Sequence, residues 1–257
     1  MNNAILSLQL FLTETAHISR FTGRFFREVF KRNQEFRELL RQAFVIGYKS
    51  FPLVGITAFI MGVVLTIQSR PTLAAVGAES WLPAMVSVSI VREIGPILTA
   101  LICCGKIGSS IGAELGSMKV TEQIDAMEVS GTNPFKYLVV TRVLASTLTL
   151  PLLVILADGL ALYGCYLGVN IKGVTSVHLF FNHVFQKLSY GDVLPSIIKS
   201  IFFGLAIGIV GCYKGYNSNK GTEGVGESAN SAVVVSSLLV FVIDLLAVQI
   251  ADTMGLT

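Results

Sequence analysis

The chain has 257 residues, 53% of them hydrophobic and 14% charged, with a formal net charge of +3, whereas an ordinary soluble domain carries roughly 25% charged residues. With a mean hydropathy of +0.70, there is too little polar surface to cover a globule in water. The composition therefore excludes a soluble domain and points to an all-α integral membrane protein.

The first sixteen residues, MNNAILSLQLFLTETA, lack a basic start and a convincing small-residue cleavage site, so they read as an attached segment rather than a secretory signal. From His17 onward Ile18, Phe21, Phe25 and Val29 recur at helical spacing, while Arg20, Arg24, Arg27 and Lys31 recur on a different face. The pattern predicts an N-terminal interfacial amphipathic helix, its basic side toward anionic head groups and its aromatics in the acyl boundary. A helix packed on the protein's own cytoplasmic face has the same pattern. Residues 1–42 thus form a cytoplasmic or interfacial segment, and residues 43–257 the transmembrane domain.

Apolar runs of about the 17 to 25 residues needed to span a bilayer recur at Ala43–Ile67, Ile94–Ala113, Tyr137–Ala157, Ile197–Tyr213 and Ser231–Ile250. The stretch Asp158–Asn170 prolongs the third run but is too short for a sixth crossing, and reads as a tail or re-entrant piece on the outer side. Loop charge supports five spans with the N-terminus inside. The inner segments then hold Arg20, Arg24, Arg27, Lys31, Arg32, Arg37, Arg41, Lys49, Lys119, Lys136, Lys214 and Lys220, and the outer ones Arg70, Lys172, Lys187 and Lys199.

In the second span Gly108, Gly112 and Gly116 repeat every four positions, beside Gly105, Ser109, Ala113 and Ser117. Such stripes allow close backbone approach, within the chain or between copies, and Gly204 and Gly208 do the same in the fourth span. Cys103, Cys104, Cys165 and Cys212 have no ligand-like spacing and read as small buried hydrophobes. His178 and His183 have no third ligand nearby and read as structural. The run GTEGVGES, Gly221 to Ser228, has the glycine spacing of a phosphate loop but places Glu227 where that loop needs lysine. A carboxylate there repels phosphate, so no nucleotide site is expected. The glycines beside Lys214 and Lys220 read as a turn between the fourth and fifth spans.

Between the second and third spans lies TEQIDAMEVSGTNP, Thr121 to Pro134, with three acids, Glu122, Asp125 and Glu128, and no base. Val120, Ile124 and Met127 form one apolar stripe, the acids suit the dipole of a helix start, and Gly131 followed by Pro134 supplies a stop. The prediction is a short amphipathic helix over about residues 120–130, tied at both ends to membrane spans. An ATPase-driven permease needs such a helix to carry motion from below the membrane into it. A loop packed on the inner face fits the same pattern.

The run VREIGPILTALICCGKIGSSIGAELGSMKVTEQIDAMEVSGTNPFKYLVVTRVLA, Val91 to Ala145, resembles the signature of the MlaE (YrbE) family of ABC-transporter permeases, and YKGYNSNKGTEGVGESANSAVVVSS, Tyr213 to Ser237, is similar to its second block. The resemblance implies a permease subunit that works as a homodimer with a cytoplasmic ABC ATPase and a ring of MCE-domain proteins on the outer side. Its implied task is to move phospholipid between the membranes of a double-membraned bacterium, from a multi-pass position in the inner membrane with the N-terminus cytoplasmic. A small STAS-type regulator belongs to some such assemblies; no nucleic acid is involved. No cofactor is expected on this chain, ATP and Mg being handled by the partner ATPase. The resemblance makes Glu122, Gln123, Ile124, Asp125, Met127 and Glu128 the ATPase-coupling residues, and places Leu65, Gln68, Arg92 and Glu93 along the lipid path. Lys220 and Thr222 depart from the small residues common before the GluGlyValGly motif, and Val174 to Asp192 follows no family pattern.

Two other classes fit a chain of this composition. An ion-coupled secondary transporter needs coupling groups deep in its spans, for which Glu93, Lys106, Glu114, Asp158 and Asp244 are candidates, but no inverted repeat relates the segments. A passive membrane scaffold needs none of them.

Overall fold

The computed structural model describes residues 2–31, 35–171, 176–219, 221–253 and 255; Arg32, Lys172, Val174 and Lys220 lie outside them. Among the described residues there are eight helices and no strand: α1 (Asn2–Val29), α2 (Phe36–Ala75), α3 (Glu79–Val120), α4 (Gln123–Val129), α5 (Phe135–Asn170), α6 (Val177–Lys187), α7 (Tyr190–Tyr216) and α8 (Thr222–Thr253). Five of these, α2, α3, α5, α7 and α8, are long and apolar enough to cross a membrane.

Each spanning helix exceeds its apolar run, for local reasons. α3 starts at Glu79 rather than Ile94: a 3-10 turn, Glu79–Trp81, leads into α-helix at Leu82, where Pro83 falls in the first α-helical turn and its missing N–H costs nothing. Two π-helical segments, Ile90–Ile94 and Cys104–Gly108, interrupt α3 without breaking it. α5 continues through Asp158 to Asn170, so that stretch is the end of the third span and not a re-entrant piece. α7 starts at Tyr190 rather than Ile197, because Ser189 and Asp192 form a capping box in which the Ser189 N–H donates to the Asp192 carboxylate at 2.9 Å. α8 starts at Thr222 rather than Ser231. Of the expected glycine turn, Gly221 at φ +101° precedes the helix, and Gly224 and Gly226 are already helical.

The helices pack as a folded row, α2 on α5, α5 on α7 and α7 on α8, with α3 lying alongside α7 and α8. The α2–α5 crossing is the most extensive. It depends on Gly62 and Gly164, since a Cβ at Gly62 would overlap the Ala161 carbonyl oxygen and one at Gly164 the Phe59 carbonyl oxygen. The expected stripe of Gly108, Gly112 and Gly116 is an intrachain contact. A Cβ at Gly112 would stand 3.1 Å from the Ser228 carbonyl oxygen of α8, while the neighbouring Gly105 meets nothing. Gly204 and Gly208 bring α7 onto α5, where the Ser146 hydroxyl donates to the Gly204 carbonyl at 2.9 Å. All four cysteines are buried and free; His178 and His183 are exposed on α6. Lys187 of α6 reaches back to the start of α3, its ammonium 4.7 Å from the Trp81 ring centroid.

α1 uses its apolar stripe against the protein itself. Phe25 is buried, and Phe21 packs edge-on against Phe135 of α5 and Tyr213 of α7, at centroid distances of 5.0 and 5.5 Å. The Arg24 guanidinium covers the Phe135 ring at 4.2 Å, and Lys214 pairs with Glu14. The helix packed on the protein's own face is therefore what Phe21 and Phe25 make. Phe26 and Phe30 stay exposed and are what remains for an acyl boundary.

Candidate functional site

Two acids carried by different spans converge on one lysine. Lys199, inside α7 and only 3% exposed, places its ammonium 2.6 Å from a Glu93 oxygen of α3 and 3.0 Å from an Asp244 oxygen of α8. Counting Lys199 with the outer loops is thereby corrected: helix α7 opens early enough to carry it into the bundle. A buried ammonium without a counter-ion is costly in a bilayer, and two carboxylates make it tolerable. Arg92, next to Glu93, faces Asp192 at 3.9 Å, the loose end of ion-pair range. Neighbouring helical residues point about 100° apart, so the two charges reach different partners on α7 and do not pair with each other. Glu93 remains 38% exposed, which leaves the cluster open on one side. Asp158 of α5 approaches α3 at Gly95: its Oδ1 is buried without a hydrogen-bond partner, where a Gly95 Cβ would overlap it.

Apolar hollows flank this cluster. Leu65 and Gln68 of α2 line a cavity of ≈370 Å³ with Met85, Ser89 and Ile94 of α3. Arg92 and Glu93 line a separate narrow cleft with Lys199 and, from α8, Ala247 and Ala251. The cleft adjoins a groove of ≈410 Å³ between α7 and α8, walled by Phe202, Leu246 and Ile250, which also contains Lys199. The four residues expected along one path thus lie on two sides of α3, and Lys199 and Asp244 join them. The arrangement can hold charge in the middle and hydrocarbon to either side. It contains no nucleophile paired with a base.

The short acidic helix is present as α4. Glu122 precedes it at φ 58°, and it closes in a Schellman turn in which Thr132 N–H donates to the Met127 carbonyl at 3.1 Å and Gly131 takes φ +81°. Its apolar stripe points inward. Ile124 is 1% exposed within the protein's own core, and Met127 packs against that core. Glu122, Gln123, Asp125, Glu128 and Val129 are left facing out, Val129 being 91% exposed. Lys119 at the end of α3 pairs with Asp125 at 2.9 Å and ties the two helices together. The reading of Ile124 as a residue that enters a partner is therefore corrected: period identifies residues sharing a face, and burial here turns that face toward the permease.

Residues 39–250 match the family model described as Permease MlaE. The chain belongs to the MlaE permease family. The match runs from the first turn of α2 to the last turns of α8, so the charged cluster, α4 and, apart from Ala251, the flanking hollows lie within the MlaE region, and α1 lies outside it. A "Probable ABC transporter permease protein" of Rickettsia typhi is 40% identical over 212 residues, 82% of each chain. A protein of the same description from Synechocystis is 36% identical over 241 residues, 92% of this chain and 90% of the relative. The "Intermembrane phospholipid transport system permease protein MlaE" of Haemophilus influenzae is 32% identical over 219 residues, 84% of each chain.

Lys199 and Asp244 belong to the site although sequence reasoning did not assign them to it. Asp244 stood out as an acid deep in a span, but nothing in its surroundings named its partner. For Lys199 a signal existed, because Ser189 and Asp192 stand at capping-box spacing ahead of an apolar run and start the helix early enough to internalise the lysine.

Proposed function

We propose that this chain is the permease subunit of an ATP-driven transporter that moves phospholipid between the inner and outer membranes, its lipid path running past Leu65, Gln68, Arg92 and Glu93. The observation that carries the reading is the Lys199–Glu93–Asp244 cluster between apolar hollows in an MlaE-family chain. A phospholipid presents charge at one end and hydrocarbon at the other, and this pairing suits both. The relative from Haemophilus influenzae carries that activity in its name.

In this reading the N-terminus is cytoplasmic, two copies form the membrane unit, and an MCE-domain ring receives or delivers lipid on the outer side. A cytoplasmic ABC ATPase docks on the outward face of α4, where ATP and Mg belong to it and not to this chain. An ion-coupled mechanism finds three of its five candidate groups already paired, Glu93 and Asp244 with Lys199 and Glu114 with Arg142 at 2.8 Å, which leaves it Asp158 and Lys106.

Three measurements test the proposal. Pull-down of the chain from native membranes is expected to bring an ABC ATPase with it, and the isolated chain is expected to hydrolyse no ATP above background. The reconstituted assembly is then expected to transfer labelled phospholipid only with ATP. ATP turnover by the isolated chain that its own mutations abolish, or lipid transfer indifferent to ATP, overturns the reading.

A further inference from the structure

A second polar hollow lies well away from the Lys199 cluster. It is a cavity of ≈300 Å³ between α2 and α3, and its lining includes Arg41, Lys49, Ser50, Lys106, Ser110 and Glu114. Lys106 lies fourteen positions before Val120 in α3 and thirteen after Glu93. At 1.5 Å per residue this sets it about 20 Å from the α4 end of the helix and about 20 Å from the Glu93 level. The two charged levels therefore occupy different halves of one span.

The charge in this cavity is unbalanced. Glu114 is bonded to Arg142, which is 3% exposed, and Arg41 is bonded through two nitrogens to Glu38 at 2.8 and 2.9 Å. Among the described residues Lys49 and Lys106 have no carboxylate within ion-pair distance. A second, independent feature lies in the same wall. Ser50 is 1% exposed, and its hydroxyl has no hydrogen-bond partner. Other helical serines here, such as Ser87, Ser146 and Ser236, bond a carbonyl three or four residues back. A buried hydroxyl left unpaired is costly. Two lysines with unbalanced charge, an unsatisfied hydroxyl and the open Ser110 hydroxyl together describe a host for an oxyanion.

We propose that this cavity binds the phosphate of a phospholipid head group on the α4 side of the membrane, with Lys49 and Lys106 as its cations and the Ser50 and Ser110 hydroxyls as its donors. The inference rests on the phospholipid reading above and adds to it a second station, one helix half away from Glu93. Lys49 and Lys106 of the lining are exposed, and Gly105 beside Lys106 meets no neighbour, so the lipid's chains have a way out beside α3.

The test uses the full chain, purified with its co-isolating partners in nanodiscs of phosphatidylglycerol and phosphatidylcholine, with phospholipid retained after detergent exchange counted by mass spectrometry. Lys49→Gln/Lys106→Gln is expected to assemble normally yet retain about tenfold less phosphatidylglycerol, the scale of one charge-assisted hydrogen bond. Lys49→Arg/Lys106→Arg, which keeps the charge, is expected to retain it. Unchanged retention in the glutamine variant overturns the proposal and leaves the lysines as groups that extend to the head-group region. Inorganic phosphate that binds the lipid-free protein and displaces phosphatidylglycerol overturns the lipid assignment in favour of free phosphate. Lipid transfer by the wild type is measured in parallel. If the wild type transfers lipid and the glutamine variant retains lipid normally, this site fails alone; if the wild type transfers none, the functional reading itself fails.

Discussion

Glu93 of α3 and Lys199 of α7 meet at 2.6 Å across a helix interface, although 106 positions separate them in the chain. Among the described residues Lys199 is the one cation paired with both Glu93 and Asp244, so its removal leaves two carboxylates facing each other. Lys199→Met is expected to destabilise the folded chain by about 3 kcal/mol, the lower end for breaking a buried pair, because Glu93 is partly exposed. The triple change Lys199→Met/Glu93→Gln/Asp244→Asn is expected to recover most of the loss. Denaturant titration in detergent micelles reads both, and a single variant as stable as wild type would show that the cluster does not hold the helices.

The inward stripe of α4 separates folding from docking. Ile124→Asp is expected to lower the yield of folded chain, because a carboxylate placed in the apolar core costs several kcal/mol, about 2 to 7 for unpaired polar groups. Val129→Asp, on the exposed face, is expected to leave folding intact and weaken ATPase capture. Reversal of Asp125 removes a surface pair worth about 0 to 1 kcal/mol and is expected to be mild. Size-exclusion profiles beside ATPase pull-down distinguish these outcomes; ATPase lost from a well-folded Ile124→Asp variant would return that residue to the docking face.

Leu65 offers a way to obstruct one hollow without touching a charge. Leu65→Trp is expected to fill part of the ≈370 Å³ cavity beside Gln68 and Ile94. Assembly with the ATPase should persist while ATP-dependent lipid transfer falls. Transfer at the wild-type rate would remove this cavity from the lipid path.

The α2–α5 crossing tolerates no added side chain at its closest points. Gly164→Ala is expected to cost about 1 to 3 kcal/mol, the usual penalty for forcing atoms into a packed interior, because the new Cβ meets the Phe59 carbonyl of α2. Gly105→Ala, whose Cβ meets nothing, is the control and is expected to be neutral. Thermal unfolding in one detergent compares the two directly.

Much of this architecture can be read without coordinates, because a spanning helix states itself through an unbroken apolar run and a stop such as Gly131 states itself through its neighbours. What hydropathy misses are residues whose charge is cancelled by a distant partner. Arg92 and Glu93 look like the end of a span until Asp192 and Lys199 are set beside them. Helix starts are displaced as well, at α7 by the local capping box of Ser189 and Asp192, which extends the helix into polar sequence. Direction is the other loss. The periodicity of α4 identifies Ile124 and Met127 as companions, and that of α1 does the same for Phe21 and Phe25, but which way such a face turns is decided by the partner helices.

The π-helical segment Ile90–Ile94 puts α3 one residue out of phase with itself. Its wider turn holds one position more than an α-helical turn, so everything after it is rotated by about 100° relative to an uninterrupted helix. Within one rod Glu93, in this segment, can thereby aim at α7 while Lys106, in the second such segment Cys104–Gly108, aims at α2. Removing a single apolar residue from this segment would shorten the span by only one position and keep every charged group, yet unlink the phase of the two halves. Insertions and deletions at this point are thus expected to be far less tolerated than substitutions, a constraint on how such a span can drift that no inventory of its side chains would disclose.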